Sequence, residues 1–341
     1  MSKTEVNKAR IKRAPTMQDV ADLAGVNRVT ASVALRGARA GTHVSEATRQ
    51  RILAAAQELG YSPNSIALAL RRQRTDIIGV YMGLGYVNMY DPFTAAILNG
   101  LQRGCGFYQK DLFMYGGFQR SSPVEIYSAL SSGKIDGLVT LPSANNPVVE
   151  KLAQSHLPAV AIANRAPSIP SLVVDDAGGS RKMADYLASK GHRRILYRGD
   201  LHSHGSPQLR QVAFRQRAAE LGMDVLLTLP GDWEGGLSDE EKGILFSTQR
   251  PTAVVCWVDT HAYRCIEEAT ALGLKVPDDV AVVGFDGVKG RISPARNLTT
   301  IRAPWEQVGE TAVGFLIKLI EGEEVEPEVV FPVELVIGDT A

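Results

Sequence analysis

From Ile77 onward the chain alternates apolar runs with helical stretches, and this alternation constrains the fold more than any other feature. The runs IIGVYM, DLFMY, GLVTL, AVAIAN, RILYRG, AVVCWV and VAVVGF read as strands. Strands separated by helices imply parallel sheets joined by crossover helices. About 265 residues exceed one ordinary sheet unit, so two α/β lobes are expected. Open parallel sheets bind ligands beyond the carboxyl ends of their strands, which makes the cleft between the lobes the expected ligand site. The chain is 45% apolar and 22% charged, ordinary values for a globular protein. No apolar run approaches the roughly 18 residues of a membrane span, so no membrane partner is expected.

The first 75 residues differ in kind. They carry 13 Lys and Arg against 5 Asp and Glu, a net of +8, while the remainder carries −8. A basic module on an acidic body is expected when only one end meets a polyanion. Thr16 to Leu35, TMQDVADLAGVNRVTASVAL, reads as a helix, a tight turn at Gly25 and a second short helix. Thr16 caps the first helix, with Val20, Leu23 and Ala24 facing inward. Gly25 ends it with positive φ. Asn27 caps the second helix, with Val29 or Val33 and Ala34 facing inward. Leu35 to His43 is a Gly-rich basic loop. Ser45 caps a third helix through Ile52, Leu53, Ala56 and Leu59, ended by Gly60. Tyr61-Ser62-Pro63-Asn64 breaks it, and Asn64 opens the connector helix SIALALRRQRT. A helix-turn-helix with a basic face puts its second helix into the major groove of DNA. Three small basic helices also serve to bind protein or to solubilise a chain, and the residues alone leave that open.

Several classes are disfavoured. The start MSKTEVNKARIKRAP reads as a disordered basic arm over 1–14 without the apolar core of a secretory signal. Cys105, Cys256 and Cys265 form no metal-type pair and suit a reducing cytoplasm, the expected location. The pair His202 and His204 invites a metal reading, but such a pair in a polar loop is ordinarily solvated. No metal or cofactor is expected. Asp175-Asp176 reads as a strand end and helix cap, and Gly178-Gly179 lacks dinucleotide-binding spacing. No nucleophile–base pair or phosphate loop supports an enzyme.

The segments MQDVADLAGV, VSEATRQRILAAAQELGYSPNSIALALR, RPTAVV, VPDDVAVVGFD and NLTTIRAPWEQVG stand in the order found in the lactose-repressor (LacI/GalR) family of bacterial regulators. The chain resembles that family over nearly its whole length from Pro15. The resemblance implies a small all-α helix-turn-helix DNA-binding domain plus a two-lobed α/β periplasmic-binding-protein-like effector domain. It implies a homodimer on roughly palindromic double-stranded operator DNA, controlled by a small effector, most readily a carbohydrate. The domains are expected at 15–62 (DNA binding), 63–75 (hinge helix and linker) and 76–341 (effector binding and dimerisation). The chain stops after VELVIGDTA without a heptad tail, which favours a dimer over a tail-linked tetramer.

The resemblance also assigns residues. Arg28 is the candidate for reading a guanine edge, and Val29 for touching a thymine methyl. Asn27, Thr30 and Ser32 suit phosphate contacts, and Thr16 and Val33 complete the face. Val33 stands where relatives often place an arginine, so a relative's operator does not carry over. Arg36 and Arg39 sit in a loop longer than usual and suit backbone contacts. Leu70 falls at the hinge position that wedges into the minor groove and kinks a base step.

In the effector domain the resemblance points to Tyr90, Phe93, Asn164, Arg165, Arg210, Trp257, Asp259 and Asp286. Carboxylates and guanidinium groups bond sugar hydroxyls, and aromatic faces stack on sugar C–H surfaces. Asn164 stands where an acidic residue is commoner, and Val258 where an Asn is. Arg165 and Arg210 serve equally in ion pairs, and Trp257 in core packing. The aromatic set also suits a purine or nucleoside effector, the first rival. A soluble sugar-binding protein without a DNA role is the second, and the basic module opposes it.

Overall fold

The computed structural model describes residues 13–36, 44–83, 89–116, 118, 121–142, 146–166, 168–201, 205–232, 234–290 and 296–341, without the Arg36 side chain. Most of the expected basic arm, the loop 37–43 with Arg39, and the pair His202 and His204 lie outside the described residues. The chain divides into two compact units, Met1–Thr75 and Asp76–Ala341.

The first unit holds helices α1 (Met17–Ala24), α2 (Arg28–Arg36), α3 (Glu46–Leu59) and α4 (Ser65–Arg72). Local chemistry sets each boundary. Thr16 opens α1 with a capping box, its own N–H donating to the Asp19 carboxylate at 2.6 Å. Gly25 ends α1 at φ 63°, a left-handed conformation that only glycine adopts without strain. The Asn27 side-chain oxygen takes the Thr30 N–H at 2.7 Å, and Ser45 takes that of Thr48. The core is largely alanine: Met17, Val20, Ala21 and Ala24 meet Ala31, Ala34, Ile52, Ala55 and Ala56. The i, i+3, i+4, i+7 stripes of α1 and α3 leave Leu23 and Leu53 a step off the buried face, so both are exposed rather than inside. Val29 is also outside, 71% exposed, because Ala31 and Ala34 fill the narrow gap between the helices. In α4 no residue is buried. Asn64 caps it, and Ile66 and Leu70 present one exposed apolar face.

The second unit contains two six-stranded sheets. The first, in order β11-β5-β4-β3-β1-β2, is parallel throughout. It comprises β1 (Ile77–Tyr81), β2 (Asp111–Met114), β3 (Gly137–Thr140), β4 (Ala159–Ile162), β5 (Ser171–Val174) and β11 (Glu328–Phe331). The second, in order β12-β10-β9-β8-β6-β7, comprises β6 (Arg194–Arg198), β7 (Asp224–Thr228), β8 (Ala253–Cys256), β9 (Ala281–Asp286), β10 (Thr299–Arg302) and β12 (Glu334–Val336). Only β12 runs antiparallel there. The crossover helices are α5 (Pro92–Phe107), α6 (Pro123–Leu130), α7 (Pro147–Ala153), α8 (Asp176–Ser189), α9 (Gly205–Glu220), α10 (Asp239–Leu245), α11 (Asp259–Ala271) and α12 (Trp305–Ile320).

The chain passes between the lobes three times: after β5 into α8, after β10 into α12, and from β11 to β12. One apolar core runs through both lobes, from Ile78 and Val80 to Phe285 and Ile301. Helix α12 packs so closely on α5 that a Cβ at Gly100 would meet the Glu306 carbonyl, and one at Gly309 the Ile97 carbonyl. Among the described residues no helix is long and apolar enough to cross a membrane.

Candidate functional site

In the second lobe, four side chains meet at the carboxyl ends of β8 and β9. Arg210 of α9 is buried; its Nε donates to Asp176 at 2.7 Å and its Nη1 to the Trp257 carbonyl at 2.8 Å. Nη1 also lies 3.3 Å from Asp286 Oδ1, close enough for an ion pair but off hydrogen-bond geometry. The guanidinium stacks 3.7 Å over the Phe285 ring, a cation–π contact. Asp176 is the first residue of α8, where the helix dipole favours a carboxylate. Asp286 ends β9 at φ 114°, a strained conformation for a residue with a side chain. Burial pushes its carboxyl up to about 7; Arg210 opposes the rise, and Asp91, from the other lobe, adds to it. Trp257 is half-buried, its ring edge-on to His261 and its Nε1 without a partner among the described residues.

The first lobe contributes the amino end of α5. Asp91 caps it, holding the Thr94 N–H at 3.0 Å and hydroxyl at 2.7 Å. Tyr90 stands 96% exposed, and Phe93 packs edge-on against Trp305, ring centroids 4.8 Å apart.

Three expected ligand residues have other commitments. Asn164 donates to the Pro142 carbonyl and accepts the Ser206 N–H, both at 3.0 Å, while Ser206 Oγ donates to the Ala163 carbonyl. These bonds tie the end of β4 to the start of α9, one lobe to the other. Asp259 is buried and accepts Thr300 Oγ1 at 2.6 Å and the Val288 N–H at 2.8 Å; it pins the loop after β9. Arg165 forms a two-bond pair with Glu328 on the half-exposed edge of the first sheet. Arg210, Trp257 and Asp286 stand together in the second lobe, while Tyr90 and Phe93 flank the amino end of α5 in the first.

The reading of the residues took Asp176 for part of a strand end and helix cap, and passed over Asp91, Trp305 and a fully buried pair, Arg198 with Glu241. For Asp176 the only signal was its place at the mouth of a crossover helix, and for Trp305 an aromatic beginning α12. Arg198 Nε and Nη2 reach the two Glu241 oxygens at 2.7 and 3.0 Å, and Nη2 also reaches the Gly235 and Gly236 carbonyls.

In the first unit the leading residues of α2 form an accessible face. Arg28 and Val29 are exposed, and Thr30, Ser32 and Val33 half-buried. Asn27 keeps its oxygen on Thr30, so its amide N–H2 is the end suited to a phosphate. Thr16 lies at the start of the preceding helix, and Arg36 is the last residue of α2.

Residues 16–64 match the model of bacterial regulatory proteins of the lacI family. Residues 184–341 match a periplasmic binding protein-like domain. Residues 16–64 thus form a DNA-binding domain of the lacI type, and the chain as a whole is similar to DNA-binding transcriptional regulators. Among its relatives, the transcriptional repressor PurR of Aliivibrio fischeri is 28% identical over 92% of this chain and 96% of that protein. The Lac repressor dimer bound to operator and the anti-inducer ONPF superposes with a TM-score of 0.80, at 25% identity over 96% of this chain and 99% of that one. A complex of the regulator CelR with cellobiose superposes at 0.68, also at 25% identity, over 96% of this chain and 100% of that one.

Proposed function

We propose that this chain is a lacI-family regulator, a homodimeric repressor of a roughly palindromic operator, and that a small carbohydrate bound between the two lobes sets its DNA affinity. In this reading residues 15–62 bind DNA, 63–75 form the hinge, and 76–341 bind effector and dimerise. The observation that carries the proposal is the pairing of two surfaces on one chain. One is the exposed leading face of α2; the other is a cleft-end cluster of buried charge around Arg210. The CelR structure holds cellobiose, which supports a carbohydrate over a nucleoside. The effector acts only if it binds one arrangement of the lobes better than the other.

Selection of binding sites from random duplex DNA tests the DNA half. Arg28→Ala is expected to weaken the selected site by about 1–3 kcal/mol, the range for one lost bidentate base contact, and to relax preference at one position per half-site. An unchanged base preference would remove Arg28 from the groove. Leu70→Ala leaves the α2 face intact but takes away the wedge. It is expected to lower affinity for the same site and reduce DNA bending in a circular-permutation gel assay, with the effector unit's melting unchanged. Equal bending by both proteins would return Leu70 to a structural role.

A further inference from the structure

Cys256 and Cys265 are buried nucleophiles that neither the DNA-binding face nor the Arg210 cluster uses. Cys256 ends β8 and Cys265 sits on α11. Both are shut off from solvent and belong to one apolar cluster of the second lobe. Their thiols hydrogen-bond to each other. Arg198 Nη1 lies 3.8 Å from the Cys256 sulfur and donates to the His261 carbonyl of α11 at 3.3 Å. A strand end, a helix and a buried cation therefore meet at two sulfur atoms. The third cysteine, Cys105, stands apart on α5 in a different core cluster.

A free buried cysteine ordinarily behaves as a small apolar side chain. The guanidinium changes that here, because the thiolate is the reactive form and a nearby cation favours it. The two sulfurs also differ. The Cys265 thiol is pulled below its ordinary range by the hydrogen bond from Cys256; burial opposes this and Arg198 supports it. Burial pushes the Cys256 thiol well up, and that of Cys105 up to about 11. We infer that Cys256 and Cys265 form a reversible disulfide when the protein meets a hydroperoxide, Cys265 attacking and Cys256 resolving.

The step balances with hydrogen peroxide as the oxidant. The Cys265 thiolate forms an S–O bond as the O–O bond breaks, and hydroxide leaves as water after taking up a proton. The Cys256 sulfur then attacks the sulfenic sulfur; the S–S bond forms, the S–O bond breaks, and the Cys256 proton departs with a second water. The peroxide is reduced to two waters by the two electrons that the thiols lose. It is small and uncharged, so it enters through local openings of α11 against β8. The disulfide closes the segment 257–264. Within that segment the Trp257 carbonyl holds Arg210, and Asp259 pins the loop after β9. Oxidation therefore reaches the charged cluster through the backbone.

The test is hydrogen peroxide treatment of the full chain, followed by denaturation, alkylation of free thiols and mass spectrometry. Two of the three thiols are expected to escape alkylation, and the chain to lose two hydrogens. Trypsin cuts after Arg264, between the two cysteines, so their peptides are expected to travel as one until dithiothreitol separates them. Cys105→Ser is expected to oxidise as fast as the wild type. In Cys256→Ser the Cys265 sulfenic acid is expected to persist and take up dimedone, whereas Cys265→Ser leaves Cys256 unlabelled. Three alkylated thiols, a disulfide through Cys105 or between two chains, or sulfinic acid at either position without a cross-link overturns the inference. A dimedone adduct on Cys256 alone overturns the assignment of the attacking sulfur. Should either serine variant fail to fold, the wild type and Cys105→Ser still decide whether the pair closes.

Discussion

Glu241→Gln is expected to destabilise the effector unit by about 3–5 kcal/mol, the range for removing one partner of a buried ion pair. Neither Glu241 nor Arg198 has any solvent exposure. The substitution keeps the shape but leaves the guanidinium without its counter-charge in a site that water does not reach. Glu241 also takes the Thr228 hydroxyl at 2.8 Å and the Ser238 N–H at 2.9 Å, so it joins β7 to the cap of α10. Arg198 in turn gathers the Gly235, Gly236 and His261 carbonyls. For that reason the double change Arg198→Met, Glu241→Leu is expected to recover only part of the loss, because those carbonyls lose their donor. All three tryptophans, Trp233, Trp257 and Trp305, lie beyond residue 76, so tryptophan fluorescence in a urea titration follows this unit alone. A midpoint within error of the wild type would mean that the pair contributes nothing net to folding.

That pair also shows where reading residues in order stops. Helix caps at Thr16, Asn27, Ser45 and Asn64 and the turn at Gly25 are local, made within three or four residues, and they stand in the structure as expected. The two-sheet architecture follows from a pattern repeated along the chain. The inner faces of α1 and α3 were harder, because Leu23 and Leu53 carry more apolar surface than the alanines that the close helix crossings require. The cleft depends on still longer contacts. Arg165 finds Glu328 at a separation of 163 residues, Asn164 finds Ser206 at 42 and Asp259 finds Thr300 at 41. Nothing in the neighbourhood of Asn164 or Asp259 distinguishes a ligand group from a group that ties two segments together. Asp176 is the converse case: beside Asp175, which does cap α8 by accepting the Gly178 N–H, it reads as a second capping residue, yet it faces Arg210.

Asp286→Asn is expected to silence the effector response, leave DNA binding by the unliganded protein unchanged, and remove a pH dependence from folding. The sign follows from the raised value. In the folded protein Asp286 titrates near about 7, against 3.8 for the unperturbed group. Between those values the folded state holds a proton that the unfolded chain has released. Its stabilising contribution is therefore complete below about 4 and is lost as pH rises through about 7. At about 1.4 kcal/mol per unit the whole change is on the order of 4 kcal/mol. An asparagine carries no such proton, so urea midpoints of the variant are expected to fall less steeply than those of the wild type between pH 5 and about 8; the slope that remains belongs to other buried carboxyls such as Asp259, which burial also raises. Parallel profiles for the two proteins would mean that the group titrates alike in both states. The effector should show the opposite slope. Hydroxyl donors bind the ionised carboxylate, so affinity for a neutral sugar that binds the wild type is expected to rise as pH passes 7, just as the unliganded fold weakens. The strained backbone at Asp286 fits this opposition: the residue is held where its charge is costly until a ligand supplies the hydrogen bonds that the protein does not.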